Sequence, residues 1–132
     1  MSEQTAKKFI EALGRLEDGR EVEAIVRLFA HDCEVGNVIS PEKFQGRDGA
    51  REFWSAKYRD TFGEVRSTFR NVFATENRAA LEWTTEGTAS DGTPVGYDGV
   101  SILETDGEMI TRFRAYFDAG GLGRQLTGKA HG

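Results

Sequence analysis

The residues best suited to chemistry without a cofactor are two carboxylates in the second half of the chain, Glu82 and Asp98, in the runs LEWTTEG and GYDGVSIL. Turned inward, Glu82 would lie near Phe69 and Phe113. Desolvation would then favour its neutral form and raise its pKa toward the range of a general acid or base. Simple patterning gives the opposite face, with Leu81 and Trp83 buried and the carboxylates wet. The orientation of Asp98 depends on the turn at Asp106-Gly107. A two-residue turn sets Asp98 opposite Ala115, Val100 opposite Phe113 and Ile102 opposite Thr111, whereas a three-residue loop turns Ser101 and Leu103 inward instead. Asn37 is a candidate hydrogen-bonding group, and Trp54 and Tyr58 are candidate ring walls that could equally be core. His31 sits beside Asp32, but adjacent side chains rarely converge on one atom, and a histidine at a helix C-terminus also favours the dipole. His131 is in the tail and is expected to be inert. The two histidines are far apart and no HxxxH or CxxC spacing occurs, so no metal site is expected. There is no GxSxG, phosphate loop or dinucleotide glycine signature. GGLGR at Gly120–Arg124 follows the last strand and is not expected to open a helix.

The elements that position these groups follow from pattern. With 132 residues the chain can bury a real core as a single domain. Its net charge of −5 and scattered basic residues do not suggest a phosphate-backbone partner. One cysteine, Cys33, cannot form an intrachain disulfide. The N-terminus MSEQTAKKF has no apolar signal region, and no apolar run approaches the roughly 20 residues of a membrane span. A cytoplasmic protein without cofactor, nucleic-acid partner or membrane contact is the expectation.

Ala6, Phe9, Ile10 and Leu13 recur at helical spacing over residues 3–14, with Gly14 as the stop. Val22, Ile25, Val26 and Phe29 predict a second helix from Gly19 to Ala30. An extended piece over Cys33–Ile39, closed by Pro41, follows. Asp48 is a candidate N-cap for a third helix that carries Ala50, Phe53, Trp54 and Tyr58 and stops at Gly63. The period then changes to two. Val65–Thr75 puts Val65, Phe69 and Phe73 on one face, Ala79–Ala89 follows the Glu76-Asn77 turn, and SDGTP leads into the hairpin over Gly96–Asp118. On its second strand Met109, Thr111, Phe113, Ala115 and Phe117 share a face opposite Ile110, Arg112, Arg114 and Tyr116. Three helices followed by four hairpin-joined strands predict an α+β fold, with helices on one face of a curved antiparallel sheet. The tail over 119–132 carries five glycines and is expected to be loose, with Leu122 and Leu126 able to dock.

This order, with the segments IVRLFAHDCEV, GRDGAREFW and ITRFRAYFD, resembles the nuclear transport factor 2-like superfamily. Within it the chain resembles SnoaL-like small proteins of the polyketide-cyclase-like and ketosteroid-isomerase-like kind, over about residues 5–118. The resemblance implies a cone-shaped sheet wrapped around the three N-terminal helices. It also implies a pocket for a small hydrophobic organic molecule at the open end, and a homodimer through the outer sheet face. Its register turns Glu82, Thr84 and Glu86 inward and puts Trp83 outside, with Arg112, Arg114 and Tyr116 at the dimer contact. The catalytic set of the ketosteroid isomerases is missing. Asn37 stands at the base position, Phe9 at the tyrosine, and Val100 or Ser101 at the second acid. The Asp-Arg-Asp set of the limonene-epoxide-hydrolase pattern is missing as well, with Glu82, Thr84 and Ala115 in its places. The site implied is therefore Glu82 and Asp98 as acid–base groups, with Asn37, Trp54, Tyr58, Phe69, Thr84, Val100 and Phe113 lining the pocket. The reaction would be an isomerisation, cyclisation or dehydration. The rival expectation is a non-catalytic binding or interaction module.

Overall fold

The computed structural model describes residues 2–39 and 43–128, so Pro41 and His131 lie outside the described residues. The first helix, α1, runs over Ser2–Gly19 and passes straight through Gly14. A mid-helix glycine costs about 1 kcal/mol relative to alanine, and here the apolar stripe outweighs it. Ala6, Phe9, Ala12, Leu13 and Leu16 are all buried, and so is Glu17 one step further on. Arg20, at φ 58°, takes the left-handed position that ends the helix, and its N–H reaches the Leu16 carbonyl at 3.0 Å. The second helix is short: α2 covers Val22–Val26 only, and the chain is already extended in β1, Phe29–Asn37. The helix expected through Ala30 gives way because β1 finds a partner distant in sequence, pairing parallel with β6.

After β2, Phe44–Gln45, the third helix begins at Gln45 as N-cap, with Asp48 in its first turn bonded to Arg51 rather than capping. The α-helical part, α3, spans Gly46–Glu52. A π-helical turn over Phe53–Tyr58 and a 3₁₀ turn over Arg59–Thr61 follow it. Strands β3 (Phe62–Ala74), β4 (Arg78–Ala89), β5 (Pro94–Asp106) and β6 (Met109–Phe117) then form a meander. The six-stranded sheet has the order β2-β1-β6-β5-β4-β3. It is α+β, curved and unclosed, antiparallel except where β1 meets β6.

Two of the four register shifts among the described residues of the sheet bear on the faces expected from pattern. Between β5 and β6 the register shifts after Glu104. Asp106 pairs with Met109, Thr105 with Ile110 and Glu104 with Arg112, so Thr111 is an extra residue. The turn is therefore Gly107-Glu108, with Gly107 at φ 63°, and Ser101 faces Ala115 while Leu103 faces Phe113. The turn's place and the bulge together replace the pairing of Asp98 with Ala115 by the alternative in which Ser101 and Leu103 face inward, and Ile110 is fully buried on the inner face. In β3, Asn71 at φ 51° and Val72 stand against the single residue Leu81. Beyond the bulge the faces exchange, so Phe73 leaves the face of Val65 and Phe69 and is 68% exposed.

The main core packs α1, α2 and the third helix against the inner face of the sheet, through Phe9, Leu16, Ile25, Phe29, Leu81 and Leu103 among others. A smaller cluster of Phe62, Val65, Val95 and Leu122 lies at the other end. Leu122 belongs to a fourth helix, α4, over Ala119–Gly128. The segment expected to be loose is thus helical through residue 128, and GGLGR lies within that helix. Asp118 starts it by accepting from the Gly121 N–H at 2.9 Å, and the Gln125 amide pairs with both the N–H and the carbonyl of Gly96 at 2.8 Å.

Candidate functional site

A cavity of about 170 Å³ opens between the helices and the inner sheet face. Three cross-strand rows floor it, and the pairing fixes their order. One row is polar: Ser67, Thr85 and Tyr97, from β3, β4 and β5. The next is Phe69, Trp83, Gly99 and Phe117. The third brings Ser101, Ala115 and Asn37 side by side. Gly99 is needed where it stands. A Cβ there would lie 2.5 Å from the Trp83 ring and 2.6 Å from the Tyr116 carbonyl oxygen, so the indole lies across a bare backbone. Trp83 Nε1 then donates to Ser101 Oγ at 2.9 Å.

The π-helical turn supplies the opposite wall. Trp54 meets Phe113 edge-on at 4.9 Å and Tyr58 at 5.6 Å between ring centroids. Its Nε1 is buried without a hydrogen-bond partner among the described residues. Tyr58 carries its hydroxyl to the polar row. It donates to Glu17 Oε2 at 2.7 Å, and Ser67 Oγ donates to the same oxygen at 2.6 Å. The Ser67 N–H donates to Glu17 Oε1 at 3.0 Å, and the Ser67 and Thr85 hydroxyls are 2.7 Å apart. Burial, and then the negative charge of Glu17, push the Tyr58 phenol well above its ordinary pKa. The same two causes, in the same order, raise Tyr97.

Of the residues expected to line a pocket, Asn37, Trp54, Tyr58, Phe69 and Phe113 do so. Thr84 and Val100 do not. They belong to the opposite face, and their neighbours Trp83, Thr85 and Ser101 take the lining positions. Glu82 and Asp98 are on that outer face as well, so the inward orientation of both is corrected. Glu82 accepts from Arg70 Nε at 3.0 Å and from the Asn71 amide at 2.8 Å. The Asn71 bond, with Arg70 beside it, holds the carboxyl below the usual carboxylate range. Asp98 accepts from Thr84 at 2.5 Å and lies 3.5 Å from Arg70. Trp83 is buried, so it leaves the proposed dimer contact, whereas Arg112 and Tyr116 remain exposed. Glu17 was missed because α1 was expected to stop at Gly14. Its signal was present: it follows Phe9 and Leu13 on the apolar stripe, where an acid is out of pattern. Thr85 and Tyr97 carried no comparable signal.

Among the described residues no three potential ligands gather in a metal-holding group, and no helix is long and apolar enough to cross a membrane. No curated protein matches the chain. Many solved structures share the fold. An NTF2-like protein of unknown function from Burkholderia pseudomallei has a TM-score of 0.80 at 20% identity, covering 95% of this chain and 96% of that one. TerC, co-crystallised with polyporic acid, gives 0.79 at 20% identity, covering 92% and 97%. A protein with a ketosteroid isomerase-like fold from Catenulispora acidiphila, in complex with trimethylamine, gives 0.78 at 21% identity, covering 89% and 91%. The SnoaL-like domain profile matches residues 6–113, a span that holds most of the cavity lining and leaves out Ala115, Phe117 and α4. With that match the chain belongs to the SnoaL-like domain family, and its fold is that of the NTF2-like proteins.

Proposed function

We propose that this single-domain protein binds a small, largely apolar organic molecule in the aromatic cavity. The observation that carries the reading is the cavity itself. Ten aromatic side chains among the described residues line it, its volume is about 170 Å³, and Tyr58, Ser67, Thr85 and Tyr97 gather their polar groups at one side of it. An apolar cavity of about 150 Å³ is enough to hold benzene. Two fold neighbours are described with small organic molecules bound, which agrees with the reading. Toluene tests it. Saturating toluene should raise the unfolding temperature, by the equivalent of about 2.7 kcal/mol at a hundred times its Kd. Ala115→Phe, which fills the third row, should remove the effect. No shift in the unaltered protein would sink the reading.

Acid–base turnover of the bound molecule, of isomerase, cyclase or dehydratase type, is the second reading. The observation favouring it is a phenol, Tyr58, bonded to a buried carboxylate, Glu17, at the cavity wall. That pair takes the place first given to Glu82 and Asp98. A homodimer through the outer sheet face stays part of the proposal, resting on Arg112, on Tyr116 and on Arg114, whose guanidinium lies 5.4 Å from the Tyr116 ring centre.

A further inference from the structure

The hydroxyls around Glu17 are not free to turn. Ser67 has one hydroxyl proton and gives it to Glu17. Its bond with Thr85 must therefore run from the Thr85 hydroxyl to the Ser67 oxygen. Tyr58 also gives its proton to Glu17. Every hydroxyl proton in the cluster points toward the carboxylate, so what Tyr58 and Thr85 have left to offer the cavity is lone pairs. Tyr97 is different. It stands opposite Thr85 on the neighbouring strand, lines the cavity, and its hydroxyl makes no hydrogen bond among the described residues. One wall thus holds oxygen acceptors beside one uncommitted O–H donor.

From this arrangement we infer that the cavity selects a neutral molecule presenting a hydroxyl, a phenol or an alcohol, whose O–H donates to the Thr85–Tyr58 side and whose oxygen accepts from Tyr97. The inference rests on the cavity being a ligand site. A single ligand hydroxyl would complete both halves of the wall. A carboxylate would bring a second negative charge against buried Glu17. The one cation among the described lining residues, Lys57, is exposed at the rim and does not reach the cluster by any ion pair.

Calorimetric titration of the full chain with toluene, 4-methylphenol and 4-methylbenzoate tests this. A cavity without polar partners favours toluene over the phenol, because burying an unpaired hydroxyl is unfavourable. Here the order should reverse: 4-methylphenol about tenfold tighter than toluene, and 4-methylbenzoate weaker than either. Tyr97→Phe should bring the phenol back to within about threefold of toluene, both measured on the same variant. Glu17→Gln should relieve the exclusion of the benzoate. Should Glu17→Gln fail to fold, Tyr97→Phe and the three-ligand order decide alone. Toluene binding as tightly as the phenol, or the benzoate matching it, overturns the inference and leaves the cavity reading intact. If none of the three binds, both fall.

Discussion

At the scale of single residues, burial of two phenols beside a carboxylate sets a pH dependence. Tyr58 and Tyr97 are raised above their ordinary value of 10.0 when folded. The unfolded chain therefore loses these protons first as pH rises. It then binds fewer protons than the native state, and stability falls. The stability is fully present below the unfolded value and is lost progressively above it. Urea midpoints should hold to about pH 9 and decline beyond about pH 10. Tyr58→Phe should flatten part of that decline. An identical alkaline slope in the variant would remove Tyr58 from the effect. Gly99→Ala addresses packing in the same way. Its Cβ, 2.5 Å from the Trp83 ring, forces the indole to move, at about 1–3 kcal/mol. The urea midpoint reports that loss, and an unchanged midpoint would mean that the ring and the Tyr116 carbonyl both yield freely.

At the scale of elements, α4 is the weakest part of the cavity wall. Gly120, Gly121, Gly123 and Gly128 lower its helix propensity, so it depends on tertiary anchors. Leu122 is one anchor, seated against the Phe62–Val65–Val95 cluster, and Gln125 is the other. Leu126 reaches the cavity from the same helix. Gln125→Ala removes two hydrogen bonds worth about 0.5–1.5 kcal/mol each. Amide exchange at α4 and Gly96 should accelerate about tenfold, while the core strands keep their protection. Equal exchange at both sites would show that Leu122 alone holds the helix.

At the scale of the whole molecule, the two sheet faces divide the work. The inner face carries the rings and the Glu17 cluster. The outer face carries ion pairs, Arg70 with Glu82 and Asp98, and Arg112 with Glu34 and Glu104. Exposed pairs of this kind contribute little to stability. Glu82→Gln should therefore leave toluene affinity unchanged within about twofold, since no part of Glu82 reaches the cavity. A larger loss would return Glu82 to the site. Sedimentation velocity on the same protein tests the outer face as a dimer contact: a dimer that Tyr116→Glu dissociates supports it, and a monomer at all concentrations ends it.

The sequence by itself determined the class of the fold, most strand positions and five of the residues that line the cavity. Periodicity reports which residues avoid water, and Phe69, Phe113, Trp54 and Tyr58 stand on strongly apolar faces. The same alternation placed Leu81 and Trp83 inward, against the register drawn from resemblance, because burying an indole outweighs a distant likeness when the outer face has carboxylates to show to water. Tertiary structure alone decided the rest. The bulges at Asn71 and Thr111 each reverse the face of every residue beyond them, and a bulge leaves no sharp mark in composition. Helix α1 runs past Gly14 because its stripe has a sheet to pack on, which is what carries Glu17 to Tyr58. Helix α4 forms on anchors from β3 and β5 that lie far away in sequence. The polar cluster is likewise a meeting of four elements, α1, the π-helical turn, β3 and β4, and no local pattern records that Glu17, Tyr58, Ser67 and Thr85 will meet.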